Sequence, residues 1–418
     1  MNKRSRTLIV IGGGAAGFFC AVNAARLNSS LKVIILEKTT KLLSKVKVSG
    51  GGRCNVTHAC FDIGNMINSY PRGKNFVKKM FYQFFTSDTI QWFKERGVIL
   101  KTETDGRMFP VTDSSQTIID CLMREINKYG VEIMMKSEVR SLKYEKEGFV
   151  VELSGLRPPT SDLRHLTSDF VCIASGGYSK ANQFDWIRQL GHSIEQPVPS
   201  LFTFNIPHHP IVKLMGVSVE DVEIKISGTR LTEKGPVLIT HWGLSGPTVL
   251  RLSAWGARQL NEFDYDFTIL INWLSSFHEN SCREFLHTFR ITNGSSKLAN
   301  RNPFDLPQRL WEFLLKEAEI DPGWKWNDLP GSFLNKFVKI LCSYQMRVKG
   351  KTTFKEEFVT AGGIRLTEID ANTMQSKIIP GLYLAGEILD VDGITGGFNF
   401  QHAWSSGWVA GKSIALLG

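Results

Sequence analysis

The sequence lacks several features that would assign it to a class at once. Its seven cysteines are odd in number, scattered and never spaced CxxC, the closest pair being Cys54 and Cys60. That argues against a disulfide framework and a CxxC relay, and His208-His209 stands too isolated to complete a metal site. No uninterrupted apolar run reaches the ~18 residues of a spanning helix, so no membrane span is expected and the cytoplasm is the expected location. Internal repeats and low-complexity tracts are missing as well. Acid is in deficit: 50 Lys+Arg face 40 Asp+Glu, a net charge of +10. The basic patches are Lys38, Lys41, Lys45, Lys47 and Arg53, then Arg72, Lys74, Lys78 and Lys79, then Arg347, Lys349, Lys351 and Lys355. None carries the interleaved aromatics of a single-strand platform, so they read as solvated surface, with nucleic acid kept as an alternative partner.

What is present is an ordinary globular composition, 42% hydrophobic and 22% charged, over 418 residues. That length exceeds one typical core and predicts two or three domains. The start, Met1-Asn-Lys-Arg-Ser-Arg before an apolar stretch, looks superficially like a signal peptide. Its immediate continuation into glycines and a βαβ pattern argues otherwise.

The first forty residues organise the rest. Thr7 to Ile11 reads as a buried parallel strand, Gly12, Gly14 and Gly17 supply GxGxxG, and Ala15 to Leu27 reads as a helix. A second strand, Lys32 to Leu36, ends at Glu37. Gly12 permits the tight turn, Gly14 lets the backbone approach a pyrophosphate, and Gly17 lets the helix pack on the strand. The unpaired N–H groups at Ala15 and Ala16 face the phosphates. Glu37 is placed to accept hydrogen bonds from an adenosine ribose. An acid there disfavours a 2′-phosphate and leaves NAD or FAD, which the motif does not separate.

Ser49-Gly-Gly-Gly-Arg-Cys-Asn55 follows, a glycine-rich loop placed to close on a ligand. Helical patterns (76–85, 88–96, 114–129) then alternate with a hairpin at 98–110 and strands at 131–135 and 138–153; residues 155–168 read as an exposed loop. Phe170 to Gly177 is another buried strand running into glycines, followed by a helix from Asn182 to Leu190. From Ile194 the texture changes to alternating strands, then to helical patterns over 280–350, and dinucleotide-fold texture resumes at Glu357. The expected domains are 1–195 and 357–418 for the nucleotide, with an inserted substrate or cap domain at 196–356, β-rich over 196–275 and helical over 276–350. Leu382 to Ala385 delivers Gly386-Glu387 at a strand end, and Gly396-Gly397 immediately precede a helix from about Asn399. Strand C-terminal ends are where ligands sit in open α/β sheets.

Four motifs carry a family resemblance: Val10-Ile-Gly-Gly-Gly-Ala-Ala-Gly17, Ser49 to Thr57, Thr240-His-Trp-Gly-Leu-Ser-Gly-Pro247, and Leu384 to Gln401. Together they resemble the HI0933-like (YhiN-type) bacterial flavoproteins, within the glutathione-reductase-like fold. The resemblance implies an α/β, Rossmann-type FAD-binding domain with an inserted β-rich plus helical domain. It implies non-covalent FAD held by Gly12, Gly14, Gly17, Glu37 with Lys38, and the loop residues Gly51, Gly52, Arg53, Cys54 and Asn55. Val139 would meet the adenine. Ser175, Gly176, Gly177, Gly386 and Glu387 would lie along the pyrophosphate and ribityl chain. Gly396, Gly397, Phe398, Asn399 and Gln401 would adjoin the flavin ring. Phe398 and Phe400 stand where the family often has Tyr and Leu, and Ala174-Ser-Gly-Gly177 replaces a common Ala-Thr-Gly-Gly, exchanges that bear on the substrate more than on the cofactor.

A helix N-terminus at 398–401 offers N–H groups and a positive dipole end to the charge of a reduced flavin near N1 and C2. Without CxxC or a second GxGxxG, the expected chemistry is hydride exchange at flavin N5 with a small organic substrate. NADH or NADPH is then a transient donor binding in the substrate's place, and the inserted domain roofs the ring. His402 is a candidate acid or base, His241 a second, and Arg53 a candidate anion binder. The resemblance covers both amine-type oxidation and enone-type reduction. The alternatives are an RNA-directed flavoprotein and a flavin-bound scaffold without turnover.

Overall fold

The structure, a computed structural model, describes residues 6–146, 148–154, 165–352 and 359–418. The expected loop at 155–164, the turn residue Glu147, the junction at 356–357 and Lys355 lie outside the described residues. The chain divides into two compact units, Met1–Pro199 with Lys355–Gly418, and Ser200–Phe354. No described helix is long and apolar enough to cross a membrane.

The first unit is built on a five-stranded parallel sheet. Its strands are β1 (Thr7–Ile11), β2 (Lys32–Glu37), β3 (Glu132–Met135), β4 (Phe170–Ile173) and β5 (Leu382–Leu384), in the spatial order β5-β4-β1-β2-β3. β1, β4 and β5 are buried along almost their whole length, which is why they read as continuous apolar runs instead of alternating ones. Helix α1 (Ala15–Leu27) follows β1, α2 (Lys74–Phe81) carries a buried apolar face, and α3 (Phe398–Leu417) ends the chain.

α1 and α3 lie side by side with their backbones nearly touching. A side chain at Gly407 would collide with the Ala16 carbonyl, and one at Gly411 would stand 2.5 Å from the Cys20 carbonyl. Both sequence positions advance by four along each helix, so the pair is parallel and both N-termini point the same way. Gly407 is nine residues into α3 whereas Ala16 is one residue into α1. The α3 N-terminus therefore projects roughly 12 Å beyond that of α1.

The second unit is an antiparallel seven-stranded sheet whose successive neighbours are Tyr344–Lys349, Asp266–Asn272, Ser218–Ile226, Thr232–Ile239, Gly243–Ser245, Thr203–Asn205 and Lys351–Thr352. Helices Glu279–Asn293, Gln308–Glu317 and Gly331–Cys342 bring Leu286, Trp311, Leu314, Phe337 and Leu341 into its core. Two expectations differ here. Tyr344–Lys349 is a strand, not part of a helical tract, and its strictly alternating burial is the period-two pattern of a half-buried strand. The expected helix at 249–261 is two helices, Pro247–Trp255 and Ala257–Glu262, broken at Gly256.

Helix propensity alone says that Gly411→Ala should stabilise α3 by about 1 kcal/mol. The contact with Cys20 predicts the opposite sign: a net loss of about 1–2 kcal/mol from overpacking, read from urea unfolding.

Candidate active site

The C-terminal ends of β1, β2, β4 and β5 and the N-termini of α1 and α3 bring the predicted residues to one end of the sheet. Gly12 has φ +117°, and a side chain there would run into the Ala174 carbonyl, so β1 and β4 can close over the turn only with glycine at this position. Gly14 is the N-cap of α1; it makes no side-chain cap, the first turn holds no acid, and the space above its Cα is open. Glu37 accepts the Gly13 N–H through Oε2 at 2.9 Å and the Thr39 N–H through Oε1 at 2.8 Å, which braces the turn against the end of β2.

A cavity of about 190 Å³ opens beside this turn. Gly12, Glu37, Lys38, Val139 and Ser175 line it, as do Ser137, Glu138, Tyr178, Gln183 and Trp186. The Ser175 hydroxyl is buried and makes no hydrogen bond. Burial raises the Tyr178 phenol above its ordinary value, and Lys38 Nζ lies 5.8 Å from its ring centre. Tyr178 and Trp186 were not legible as site residues, because they enter the wall through a short 3₁₀ and helical turn (Ala181–Phe184, Asp185–Arg188) where a longer helix was expected. Gly176 has φ +76° and open space. Gly177 packs under Thr360 and Glu387, and Glu387 accepts the Thr360 N–H at 2.9 Å and pairs with Lys45.

The segment expected to be a loop at 49–55 begins as a helical turn at Ser44, but Ser49 leaves the helix and Gly50, Gly51 and Gly52 all take positive φ. Arg53 is already neutralised: its guanidinium meets Glu103 at 2.5 Å, lies 4.0 Å from the Phe109 ring centre and donates to the Gly50 carbonyl. That corrects its role as an anion binder. Cys54 is fully buried, and burial pushes its thiol up to about 12, so the side chain is packing and offers a ligand nothing. With its amide turned to satisfy both neighbours, Asn55 accepts the Gly397 N–H and donates to the Thr57 carbonyl, each at 3.0 Å.

The turn that starts α3 is held from several sides. Gly397 is its N-cap, with φ +95°, no side-chain cap and no acid in the first turn. Tyr70 donates to the Phe398 carbonyl at 2.7 Å, and Asn399 exchanges two 2.8 Å hydrogen bonds with the backbone of Gly393. Arg72 forms a bidentate pair with the fully buried Asp392, and His58 stacks on Phe398 while its Nδ1 contacts the Gly396 carbonyl at 3.1 Å. Two side chains are not where the flavin-ring assignment requires them. Gln401 is fully buried and both of its amide atoms are used: Oε1 accepts from Thr57 and Thr89, and Nε2 donates to Ser405. His402 is buried as well, donates from Nε2 to the Gly386 carbonyl at 3.2 Å, and has an unpartnered Nδ1. Burial lowers its pKa to about 4, so it is neutral at pH 7 and positions Gly386; it is no acid–base group there. His241 is exposed and lies in the second unit, against Trp242.

A family model described as the HI0933-like protein Rossmann domain matches residues 6–413. The chain belongs to the HI0933-like family. Among its relatives, a ribosomal RNA dihydrouridine synthase of Escherichia coli K12 is 31% identical over 416 residues, covering 97% of each chain. A 3-dehydro-bile acid Δ(4,6)-reductase of Clostridium scindens is 28% identical, covering 97% of this chain and 98% of that one. Among solved structures, a 3-ketosteroid-Δ4-(5α)-dehydrogenase from Rhodococcus jostii superposes with a TM-score of 0.51 at 14% identity, covering 99% of this chain and 98% of that one. A flavocytochrome c3 fumarate reductase gives 0.50 at 16%, covering 98% and 78%. These likenesses establish the α/β, Rossmann-type fold of the HI0933-like chain.

The lowered pKa of His402 means that the fold favours its neutral form. Stability from that burial is complete above 6.5, the ordinary histidine value, and is lost as pH falls toward about 4. Between pH 7 and 5, urea unfolding of the wild type should lose about 2 kcal/mol more than His402→Gln does. Parallel pH curves for the two would show that the imidazole is not buried neutral.

Proposed function

We propose that this HI0933-like protein binds FAD non-covalently and reduces a carbon–carbon double bond conjugated to a carbonyl, with a uridine base of RNA as the substrate. The observation that carries the cofactor assignment is the pair of uncapped, parallel helix N-termini set roughly 12 Å apart along their axes. They suit a ligand with two separated regions of negative charge, a pyrophosphate at α1 and the pyrimidine side of a reduced flavin at α3. The unpartnered Ser175 hydroxyl, buried in the adjoining cavity wall, is a further group that a bound dinucleotide would satisfy.

In this reading Gly12, Gly14, Ala15, Ala16 and Gly17 hold the pyrophosphate and Glu37 the ribose. Val139, Tyr178 and Trp186 enclose the adenine. Gly386 and Glu387 take the ribityl chain, and Gly396 to Asn399 take the ring edge through backbone groups. When bound, FAD supplies N5 as the atom that accepts and gives hydride. Tyr70, Asn55, Asn399 and the Arg72–Asp392 pair keep the α3 turn in place, so that its N–H groups need not reorganise when charge develops.

The substrate class follows from chemistry shared by two relatives. Dihydrouridine formation and reduction of a bile-acid Δ4,6-enone both saturate a C=C bond conjugated to C=O. Hydride adds to the carbon β to the carbonyl and a proton adds to the α carbon. A reduced nicotinamide dinucleotide is the proposed source of the hydride. The net charge of +10 and the 31% identity to a ribosomal RNA enzyme favour a uridine over a small enone.

Purified protein carrying FAD would be mixed anaerobically with NADH or NADPH, then with ribosomal RNA transcribed in vitro, whose uridines are all unmodified. The expected result is bleaching of the flavin bands, their return on adding RNA, and dihydrouridine in the nuclease digest. A protein that stays colourless after reconstitution with FAD overturns the cofactor assignment. A yellow protein that reduces a steroid dienone and leaves RNA unchanged replaces uridine with a small enone.

A further inference from the structure

We infer that the exposed face of α2 is a docking surface for an unpaired stretch of RNA, with Lys78 and Lys79 holding phosphates and Tyr82 stacking on a base. This inference rests on the RNA reading above. Residues 38–79 contain nine Lys and Arg and a single acid, Asp62, so this one segment carries +8 of the chain's +10. The fold consumes part of that charge. Lys45, Arg53 and Arg72 pair with Glu387, Glu103 and Asp392, and Lys74 donates to Asn68. Lys78 and Lys79 are exposed and make no ion pair among the described residues.

Helix phase supplies what the linear sequence hides. Phe76, Val77, Met80 and Phe81 are buried, which turns Lys74, Asn75, Lys78 and Lys79 to the exposed side. Tyr82, the C-cap residue, keeps right-handed helical φ/ψ and is 71% exposed. Lys74, Lys78 and Tyr82 are therefore successive i, i+4 neighbours on one row. Two free ammonium groups beside an exposed aromatic ring are the two components of single-strand recognition, a track for the backbone and a face for a base.

The surface is tied to the proposed reaction site by structure, not only by sequence order. Arg72, one residue before the α2 N-cap, is paired with Asp392; a side chain on that N-cap, Gly73, would meet Val391 at 2.6 Å; and Tyr70 donates to the Phe398 carbonyl. α2 thus hangs from the same segment that leads into the α3 turn. A base must be unstacked before its C5–C6 bond is open to hydride, so the nucleotides flanking it are unpaired and available to such a row.

Lys78→Gln/Lys79→Gln and Tyr82→Leu would be made in the full FAD-loaded chain, with bound-flavin content as the check on folding. RNA binding would be titrated at several salt concentrations with a single-stranded segment of ribosomal RNA transcribed in vitro. The lysine pair should lower the slope of log K against log salt by about 2. Tyr82→Leu should weaken binding roughly five- to a hundredfold with the slope unchanged, because stacking releases no counterions. Neutralising Lys316 and Lys325, exposed in the second unit, serves as the control and should leave the slope in place. A wild type that makes dihydrouridine while both α2 variants bind like it overturns this surface alone. A wild type that neither binds RNA nor reduces uridine overturns the RNA reading and the surface together.

Discussion

The close parallel contact of α1 and α3 is the constraint on which the rest of the first unit depends. With glycine at 407 and 411 the two backbones approach to a distance no side chain would permit. That contact fixes the axial offset between two helix N-termini that lack side-chain caps. Helix ends are stabilised by partners for their free N–H groups. Leaving both of these ends open costs stability, and a ligand that fills them recovers it. The offset then determines what kind of ligand fits: an elongated one with negative charge at two places.

An uncapped end is useful only if its turn does not collapse onto itself. Here the restraint comes from buried polar side chains reaching in from remote parts of the sequence. Tyr70, Asn55, Asn399 and the Arg72–Asp392 pair fix the α3 turn by its carbonyls and by residues just before it. The Gln401–Thr57–Thr89–Ser405 network anchors the first turn of α3 to the 57 and 89 regions. Buried pairs and networks of this kind add little net stability compared with apolar packing, but they specify one arrangement. His402 does the same for Gly386, which is consistent with its neutral, buried state.

Much of this was legible because it is written in local periodicity. The continuous apolar runs of β1, β2 and β4, the GxGxxG spacing and the Gly396-Gly397 pair before a helix each constrain the backbone within a few residues. The side-chain assignments fared differently, since they depend on helix phase and on long-range partners. Gln401 and His402 sit in a motif that adjoins the proposed ring, yet their positions on α3 turn both side chains into the protein. Arg53 is spoken for by Glu103, fifty residues away, which no local pattern reveals. Tyr344–Lys349 shows the reverse case: its alternation was present in the sequence but stood within a stretch otherwise dominated by helical patterns.

The same distinction separates charge as a composition from charge as a surface. A net +10 describes the whole chain, but cations held by Glu387, Glu103 and Asp392 act as internal fasteners and contribute little to the field a polyanion meets. What reaches solvent in the basic segment is a subset selected by the fold. On α2 that subset stands in one row with an aromatic ring, and no pattern of adjacent residues announces it. A solvated basic surface and a nucleic-acid surface thus have the same composition. They differ in whether the free cations share a face with groups that recognise something besides charge, and α2 meets that condition.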